Sequence, residues 1–296
     1  MIQKGIHLGL DEGAYRADPA VSVSDVKPML ISPRHFFEKK FGSKRRTPPT
    51  TAQITGTLVH MAILEPDKFK AKVHTLPDDA PKRPTKAQLE AAKPSAATLE
   101  AIQFWKAWEE KHPGAQIIER DQMAQVCGMR DAVFGHKIAA EYLTECATEV
   151  SVFGEALGGL RIKGRIDCVP KAPKLVDIKT VGHGGARPDE FSRSLWDWRY
   201  DMQVAYYLDL YNSNFDEWDD HKKKNDFVFV CVEKEEPYAV CLYKVSRRVI
   251  DRGRRDYLAL LQKVVACQKA NEWPGYSDAE GEIDLPAWAD RANPSP

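Results

Sequence analysis

The chain has 296 residues and balances 43 Lys+Arg against 43 Asp+Glu, so no global charge draws it to nucleic acid or to an anionic surface. A hydrophobic fraction of 43% with seven tryptophans suffices for a buried core, and no apolar run approaches the length of a membrane span. The six cysteines are scattered without a C-x-x-C pair, and the N-terminus lacks a basic-then-apolar leader; both features predict an intracellular protein with reduced thiols.

Residues 1 to about 20 are weakly patterned and predict a loose arm. Ser22-Val23-Ser24-Asp25 is a helix-start signal for a short helix through Leu30. Pro33 suits the first turn of a second helix that runs to Phe41 and ends at Gly42. Its Arg34, His35, Lys39 and Lys40 continue into Ser43-Lys44-Arg45-Arg46, the most basic region of the N-terminal half. Such a run is either a solvated face or a polyanion contact. Thr51 to Glu65 predicts an apolar-rich helix closed by Pro66. Within it Gly56 leaves room for close backbone approach one turn before His60. His60 is either a core or capping residue or an active-site group.

Lys70 to Thr75 predicts a strand, and residues 76–84 a proline-rich connection. Residues 85–112 predict a helical region interrupted at Pro94, with Trp105 and Trp108 on one packing face. A long helix from Glu119 to about Glu145 follows, with Met123, Val126, Met129, Val133 and Leu143 on its broad apolar side. No catalytic constellation stands out in this middle part, which reads as scaffold.

From Ala147 the hydrophobic period changes to two. Glu149–Phe153 and Leu160–Val169 predict two strands joined by a hairpin at Gly158-Gly159. Lys171-Ala172-Pro173-Lys174 is turn chemistry, and Leu175–Lys179 is the next strand. Alternation puts Leu175, Asp177 and Lys179 on one face and Val176 and Ile178 on the other, and Asp167 on the neighbouring strand can reach the same place. An acid pair beside a lysine suits metal-assisted phosphodiester cleavage. Hard oxygen ligands hold Mg²⁺ or Mn²⁺, and the metal polarises phosphate and activates water. The lysine can position that water or offset developing charge. A surface ion pair is the plain alternative for D-x-K, but both acids sit in apolar strand surroundings where unpaired charge is costly.

Thr180–Gly185 is a flexible exit that includes His183, and Phe191–Tyr200 is aromatic, with Trp196 and Trp198. A helix from about Arg199 to Tyr211 places Gln203 and Tyr207, four residues apart, on one face. An amide and a phenol there can orient a phosphate or an attacking water. Asn212–Asn225 reads as a solvated loop, and residues 226–232 and 238–245 as a hairpin. Ser246 caps a last helix to about Glu272, whose first turns carry Arg247, Arg248, Arg252, Arg254 and Arg255. Cations there oppose the helix dipole. That suggests phosphate contact, although solvation or an acidic partner serves equally well. The tail past Trp273 reads as loose.

In this order, Gly56-x-x-x-His60, Gly164-Arg165-Ile166-Asp167, Asp177-Ile178-Lys179 and Gln203-x-x-x-Tyr207 resemble the PD-(D/E)XK nuclease core. More narrowly they resemble the branch of RecE (exodeoxyribonuclease VIII), lambda exonuclease and the RecB nuclease domain. The resemblance covers roughly residues 22–65 and 145–270. Position 177 is aspartate where many relatives have glutamate, which keeps the carboxylate chemistry. The fold expected is α/β: a central mixed sheet of about five strands flanked by helices, with an N-terminal helical region. A single domain is expected over 1–296, mostly helical over 22–145, with the core at 146–272 and a loose tail at 273–296.

The resemblance implies a Mg²⁺-dependent deoxyribonuclease, most specifically a processive 5′→3′ exonuclease acting on double-stranded DNA ends. In that reading Asp167 and Asp177 ligate metal, with the Ile178 carbonyl as a third ligand. Glu149 and His60 complete the metal site, with Glu145 and Glu155 as alternatives to Glu149. Lys179 positions the water, and Gln203, Tyr207, Arg34 and Arg165 contact DNA. The resemblance also implies a ring-shaped homo-oligomer and a single-strand annealing partner of the RecT type, in a bacterial or phage-encoded cytoplasmic setting. No iron–sulfur cluster is expected, since only Cys267 lies near the C-terminus. The alternatives are another nuclease of this fold, whether an endonuclease or a RecB or CRISPR-adaptation type, and a catalytically silent DNA-binding module.

Overall fold

The period-two stretch after Ala147 builds the centre of the molecule. In the computed structural model, which describes residues 1–42, 48–277 and 279–286, the elements run in chain order as follows. Strand β1 is Gly5–His7, followed by helices α1 (Glu12–Ala17) and α2 (Val23–Val26), a 3₁₀ turn (Lys27–Leu30) and α3 (Pro33–Phe41). Next come α4 (Thr51–Leu64), α5 (Pro66–Lys72), β2 (Val73–His74), α6 (Lys86–Leu89), α7 (Ala96–Lys111) and β3 (Gln116–Ile117). Then follow α8 (Arg120–Gly135), α9 (Lys137–Thr144), β4 (Cys146–Glu155), β5 (Arg161–Pro170) and β6 (Lys174–Val181). The chain continues through α10 (Pro188–Asp197), α11 (Tyr200–Asn212), β7 (Asp226–Glu233), β8 (Val240–Lys244) and α12 (Arg247–Ala270). This is the α/β architecture expected: a mixed sheet of order β1-β4-β5-β6-β7-β8, with the pair β2-β3 beside it.

The sheet is antiparallel except between β6 and β7, which run parallel and are joined by the crossover through α10 and α11. A sheet covered on both faces needs near-continuous apolar strands, and Leu175–Ile178 and Phe227–Val232 supply them. On one face Val150, Ile166, Leu175, Phe227 and Phe229 pack with Met202, Tyr206 and Leu261 of α11 and α12. On the other, Val176, Ile178, Val228 and Val230 pack with Leu58, Val59, Val126 and Met129 of α4 and α8.

Two helices position the later site. Helix α4 begins at a capping box in which the Thr50 side chain accepts from the Gln53 amide and Gln53 reaches back to the Thr50 amide. A Cβ at Gly56 would lie 3.3 Å from Thr180 Oγ1, so glycine lets α4 ride close on β6. Helix α11 starts from Arg199 at φ 51°, a left-handed conformation held by ion pairs to Asp201 and Asp256. Beneath it Gly253 of α12 abuts the Asp201 backbone; a Cβ there would sit 2.0 Å from the Asp201 carbonyl oxygen.

Several expectations differ from the structure. The segment read as a loose arm holds α1 and a sixth strand: β1 pairs with the outer edge of β4, a distant partner that local periodicity cannot reveal. The first half of the strand expected over 70–75 is the end of α5, which Pro66 nucleates at its first turn; only Val73–His74 is a strand, and it pairs with β3. The long helix expected over 119–145 breaks at His136, whose ring accepts from the Ala139 amide and starts α9. The tail is anchored where it begins, because Trp273 stacks on Phe36 at 5.3 Å and Pro274 accepts from the Arg34 amide. The basic run at residues 43–46 and the last ten residues of the tail lie outside the described residues. Among the described residues no helix is long and apolar enough to cross a membrane.

Replacing Gly253 by Ala forces α11 and α12 apart and should cost about 1–3 kcal/mol. A thermal melt should show a drop of roughly 4 °C or more. Gly135→Ala, whose Cβ meets nothing within 4 Å, serves as the control and should leave the midpoint in place.

Candidate functional site

The site forms where β5 loses its neighbours on both sides. The β4–β5 ladder pairs Thr148 with Cys168 and Val150 with Ile166, skipping Glu149 and Asp167. Glu149 has φ 49°, costly for a non-glycine residue, and this turn of the backbone is what takes it out of the ladder. On the other side β5 and β6 are in register only at Cys168–Val176. Asp167 therefore stands in a fork between strands. Its Oδ2 fills part of the gap by accepting from the Ile178 amide at 2.9 Å, so a side chain replaces a ladder hydrogen bond. Ile166 packs in the core under α11 while Cys168 packs in the core under α4, so β5 turns its face over at Asp167.

Three side chains converge on the fork. His60 of α4 places Nδ1 3.5 Å from Asp167 Oδ2. One ligand atom from each of His60, Glu149 and Asp167 can be chosen so that all lie within 4.8 Å of one another. Asp177 is next to them but faces α11. It is 2% exposed, with Lys179 Nζ 2.5 Å from its Oδ2 and Gln203 Nε2 donating to its Oδ1 at 2.7 Å. Gln203 Oε1 in turn accepts from Lys179 at 3.5 Å. Asp177, Lys179 and Gln203 thus form a linked triad, with Asp177 and Gln203 buried and Lys179 partly exposed, alongside the group of His60, Glu149 and Asp167.

The charges are strained by their enclosure. Burial, followed by the Asp167 carboxylate, pushes Glu149 up to about 7. Arg165 lies 3.9 Å from Glu149 and offsets part of this. Burial and then Asp167 also raise Asp177. Burial alone would lower Lys179, but Asp177 and Asp167 outweigh it and hold the ammonium protonated. Carboxylates crowded beside an imidazole suit a divalent cation, whose charge offsets the burial and the Asp167 repulsion that raise Glu149. His60, Glu149 and Asp167 could hold such an ion without rearranging the triad, whereas Asp177 could join only by giving up Lys179.

The other sequence-predicted residues sit at varied distances from this centre. The Tyr207 ring lies over Gly164, where a Cβ would come within 3.0 Å of it, so Gly164 makes room for the phenol. Arg165 is tied to Ser151 Oγ at 3.0 Å and to the Leu10 carbonyl at 2.7 Å, and its guanidinium lies 4.7 Å from the Tyr15 ring centroid. It acts on the site through Glu149. Arg34 is exposed on α3 beside Gly275. The backbone of Ile178 is present at the fork through its amide. Glu155 and Glu145, the alternatives to Glu149, lie outside the cluster; Glu145 instead pairs with Lys171 at the surface.

Two groups escaped the sequence reading. Tyr200 places its ring 4.6 Å beneath Lys179 Nζ, and Lys27 reaches the same ring at 5.6 Å while donating to the Trp198 carbonyl at 2.5 Å. Burial and then Lys179 lower Lys27 to about 8. Lys27 precedes Lys179 by about half the length of the chain, and no local pattern joins them.

The raised Glu149 has a testable consequence. Its unfolded value is near 4.5 and its folded value about 7, so the folded chain keeps this proton over a window in which the unfolded chain releases it. Metal-free stability should therefore fall between pH 5 and pH 8, by roughly 1–3 kcal/mol from this group. Glu149→Gln should flatten that fall in thermal melts. Mn²⁺ should raise the melting temperature at pH 8, with little effect at pH 5.5. Equal pH profiles for the two chains would remove Glu149 from the enclosed site.

A family model described as a PDDEXK-like domain of unknown function (DUF3799) matches residues 22–284. A solved structure from Eubacterium rectale, described as a "Putative exonuclease", superposes with a TM-score of 0.60 at 15% identity, covering 97% of this chain and 99% of that one. At that identity the likeness is one of fold. The solved structure of SSO0001 aligns at 17% identity over 72% of this chain and 87% of its own, with a TM-score of 0.26 that carries no argument. No curated protein matches the chain.

Proposed function

We propose that this chain, which belongs to the PDDEXK-like family DUF3799, is a divalent-metal-dependent deoxyribonuclease of the RecE type, digesting duplex DNA ends 5′→3′. The observation that carries the reading is the pairing of two clusters at one fork. His60, Glu149 and Asp167 offer a ligand set, and Asp177, Lys179 and Gln203 offer a protonated amine held in place. The finer points of duplex ends, polarity and processivity rest on the motif resemblance.

A cation held by His60, Glu149 and Asp167, with the Ile178 carbonyl as a further ligand, would polarise the scissile phosphate and lower the pKa of a bound water, while Asp177 stays on Lys179. The protein's own residues do the rest. Lys179 remains charged in a partly enclosed site, where it can stabilise negative charge on phosphate or orient the attacking water. Asp177 fixes Lys179, and Gln203 fixes Asp177. Tyr207 stands on the same face of α11 as Gln203, within electrostatic reach of Asp177 and Asp167. Arg165 tempers the charge on Glu149, and Arg34 serves as an outer phosphate contact. A ring-shaped homo-oligomer fits a chain without net charge, because a channel concentrates cations that the whole surface lacks. An annealing protein of the RecT type would take the single strand produced.

Digestion of linear and covalently closed duplex DNA, labelled separately at 5′ and 3′ ends, tests the reading. Linear DNA alone should disappear, with Mg²⁺ or Mn²⁺ but not with EDTA, and the 5′-ended strand first. Cutting of closed circles would make the chain an endonuclease of the same fold. Asp177→Asn and Lys179→Met should each lower cleavage at least about 100-fold. Asp177→Asn ends the burial penalty on the acid but leaves the Lys179 ammonium without its counter-ion, so its melting temperature should fall while the chain stays folded. An unchanged cleavage rate in either variant would refute the site.

A further inference from the structure

The last helix carries cations that the proposed chemistry does not use. Arg248, Arg252 and Arg255 are exposed and follow one another at i, i+4 and i+7, so they share a face of α12. Among the described residues none of the three forms an ion pair, whereas Arg254 on the adjacent face is locked to Asp209 at 2.8 Å and Asp251 at 3.0 Å. In a chain of balanced charge, an unpaired arginine row stands apart. It begins in the first turns of a helix, where the dipole disfavours cations, so it lowers stability unless an anion covers it.

Beside this row the end of α10 leaves two large aromatic side chains in solvent. Trp196 is 48% exposed and Trp198 is 65% exposed. The Arg252 guanidinium lies 4.3 Å from the Trp196 ring centroid, which joins the arginine row to the aromatic pair. A chain of contacts links the patch to the fork. The Trp198 carbonyl accepts from Lys27, Lys27 overlies Tyr200, and Tyr200 lies under Lys179. Flat aromatic faces interleaved with unpaired guanidinium groups match unpaired bases and their phosphates. A duplex buries its base faces in its own stack and could use only the arginines.

We infer that Trp196, Trp198 and the Arg248–Arg252–Arg255 row form a binding track for single-stranded DNA leading to the Lys179 site. Bases stack on the two indoles and phosphates lie along the arginines. This rests on the nuclease reading for its purpose, since a strand held there would run directly into or out of the carboxylate cluster. The track gives the protein a preference for ends that are already open, or that open as digestion proceeds.

The test is binding of the full chain to a labelled 12-mer single strand and to a blunt hairpin duplex, in EDTA so that nothing is cleaved. Fluorescence anisotropy reads affinity, and quenching of tryptophan emission reads stacking. The single strand should bind more tightly than the duplex and quench emission. Trp196→Ala and Trp198→Ala should each weaken single-strand binding about tenfold. Trp198→Phe should restore most of it, and Arg252→Gln should weaken it and flatten its salt dependence. In a metal-supported digestion the tryptophan variants should raise KM with little change in kcat. Unchanged single-strand affinity in the tryptophan variants would overturn the track. So would a change in oligomeric state on sedimentation in place of a change in affinity, which would make the patch a contact between copies. Because binding is read without metal, the two readings fail separately. An inert protein that still binds single strands through these residues loses the nuclease assignment alone, and an active protein that binds without them loses the track alone.

Discussion

Three carboxylates, those of Glu149, Asp167 and Asp177, are gathered at one half-closed fork in the sheet, and the surrounding structure is arranged to tolerate their repulsion. Burial, and then the Asp167 carboxylate, raises the cost of ionising both Glu149 and Asp177. The local backbone serves the same end. Glu149 leaves its ladder at a positive φ, and β5 and β6 register only at Cys168–Val176. Asp167 spends one oxygen on a backbone amide. Strand pairing is thus sacrificed at the place where acid groups must point together, the kind of local cost that stable proteins carry at functional sites.

The helices then act as struts for this fork. Close approach at Gly56 brings His60 to Asp167 from one face of the sheet. Close approach at Gly253 lowers α11 until Gln203 reaches Asp177 from the other. Arg199, anchored to Asp201 and Asp256, fixes where α11 begins. The site therefore depends on both layers of the core, and mutations far from the carboxylates should act on it through helix position.

Much of this was legible in the chain. Alternation in Leu175–Lys179 assigns Asp177 and Lys179 to one face, and the structure has them there as an ion pair. Helical spacing puts Gln203 and Tyr207 on one face, and Gln203 does reach Asp177. What stayed hidden has a common physical cause. The pairing of β1 with β4, the approach of Lys27 to Lys179 and the packing of Trp273 on Phe36 are contacts between distant segments, to which local periodicity is blind. The division of labour among the acids was hidden as well. Sequence placed Asp167 and Asp177 together as a pair, but the switch of face along β5 sets Asp167 with His60 and Glu149 while Asp177 turns to Lys179 and Gln203. The arginine cluster of α12 was legible as a cluster, but not which members are already paired: Arg254 is held by Asp209 and Asp251, whereas Arg248, Arg252 and Arg255 form no ion pair among the described residues.

The central claim is that the fork between β4, β5 and β6 is a divalent-metal site. The most direct measurement is the anomalous difference map of a crystal soaked in Mn²⁺ at pH 8. The expected result is a single strong peak enclosed by His60, Glu149 and Asp167, lost in Asp167→Asn. A peak elsewhere, or no peak while Glu149 stays beside Arg165, would contradict it.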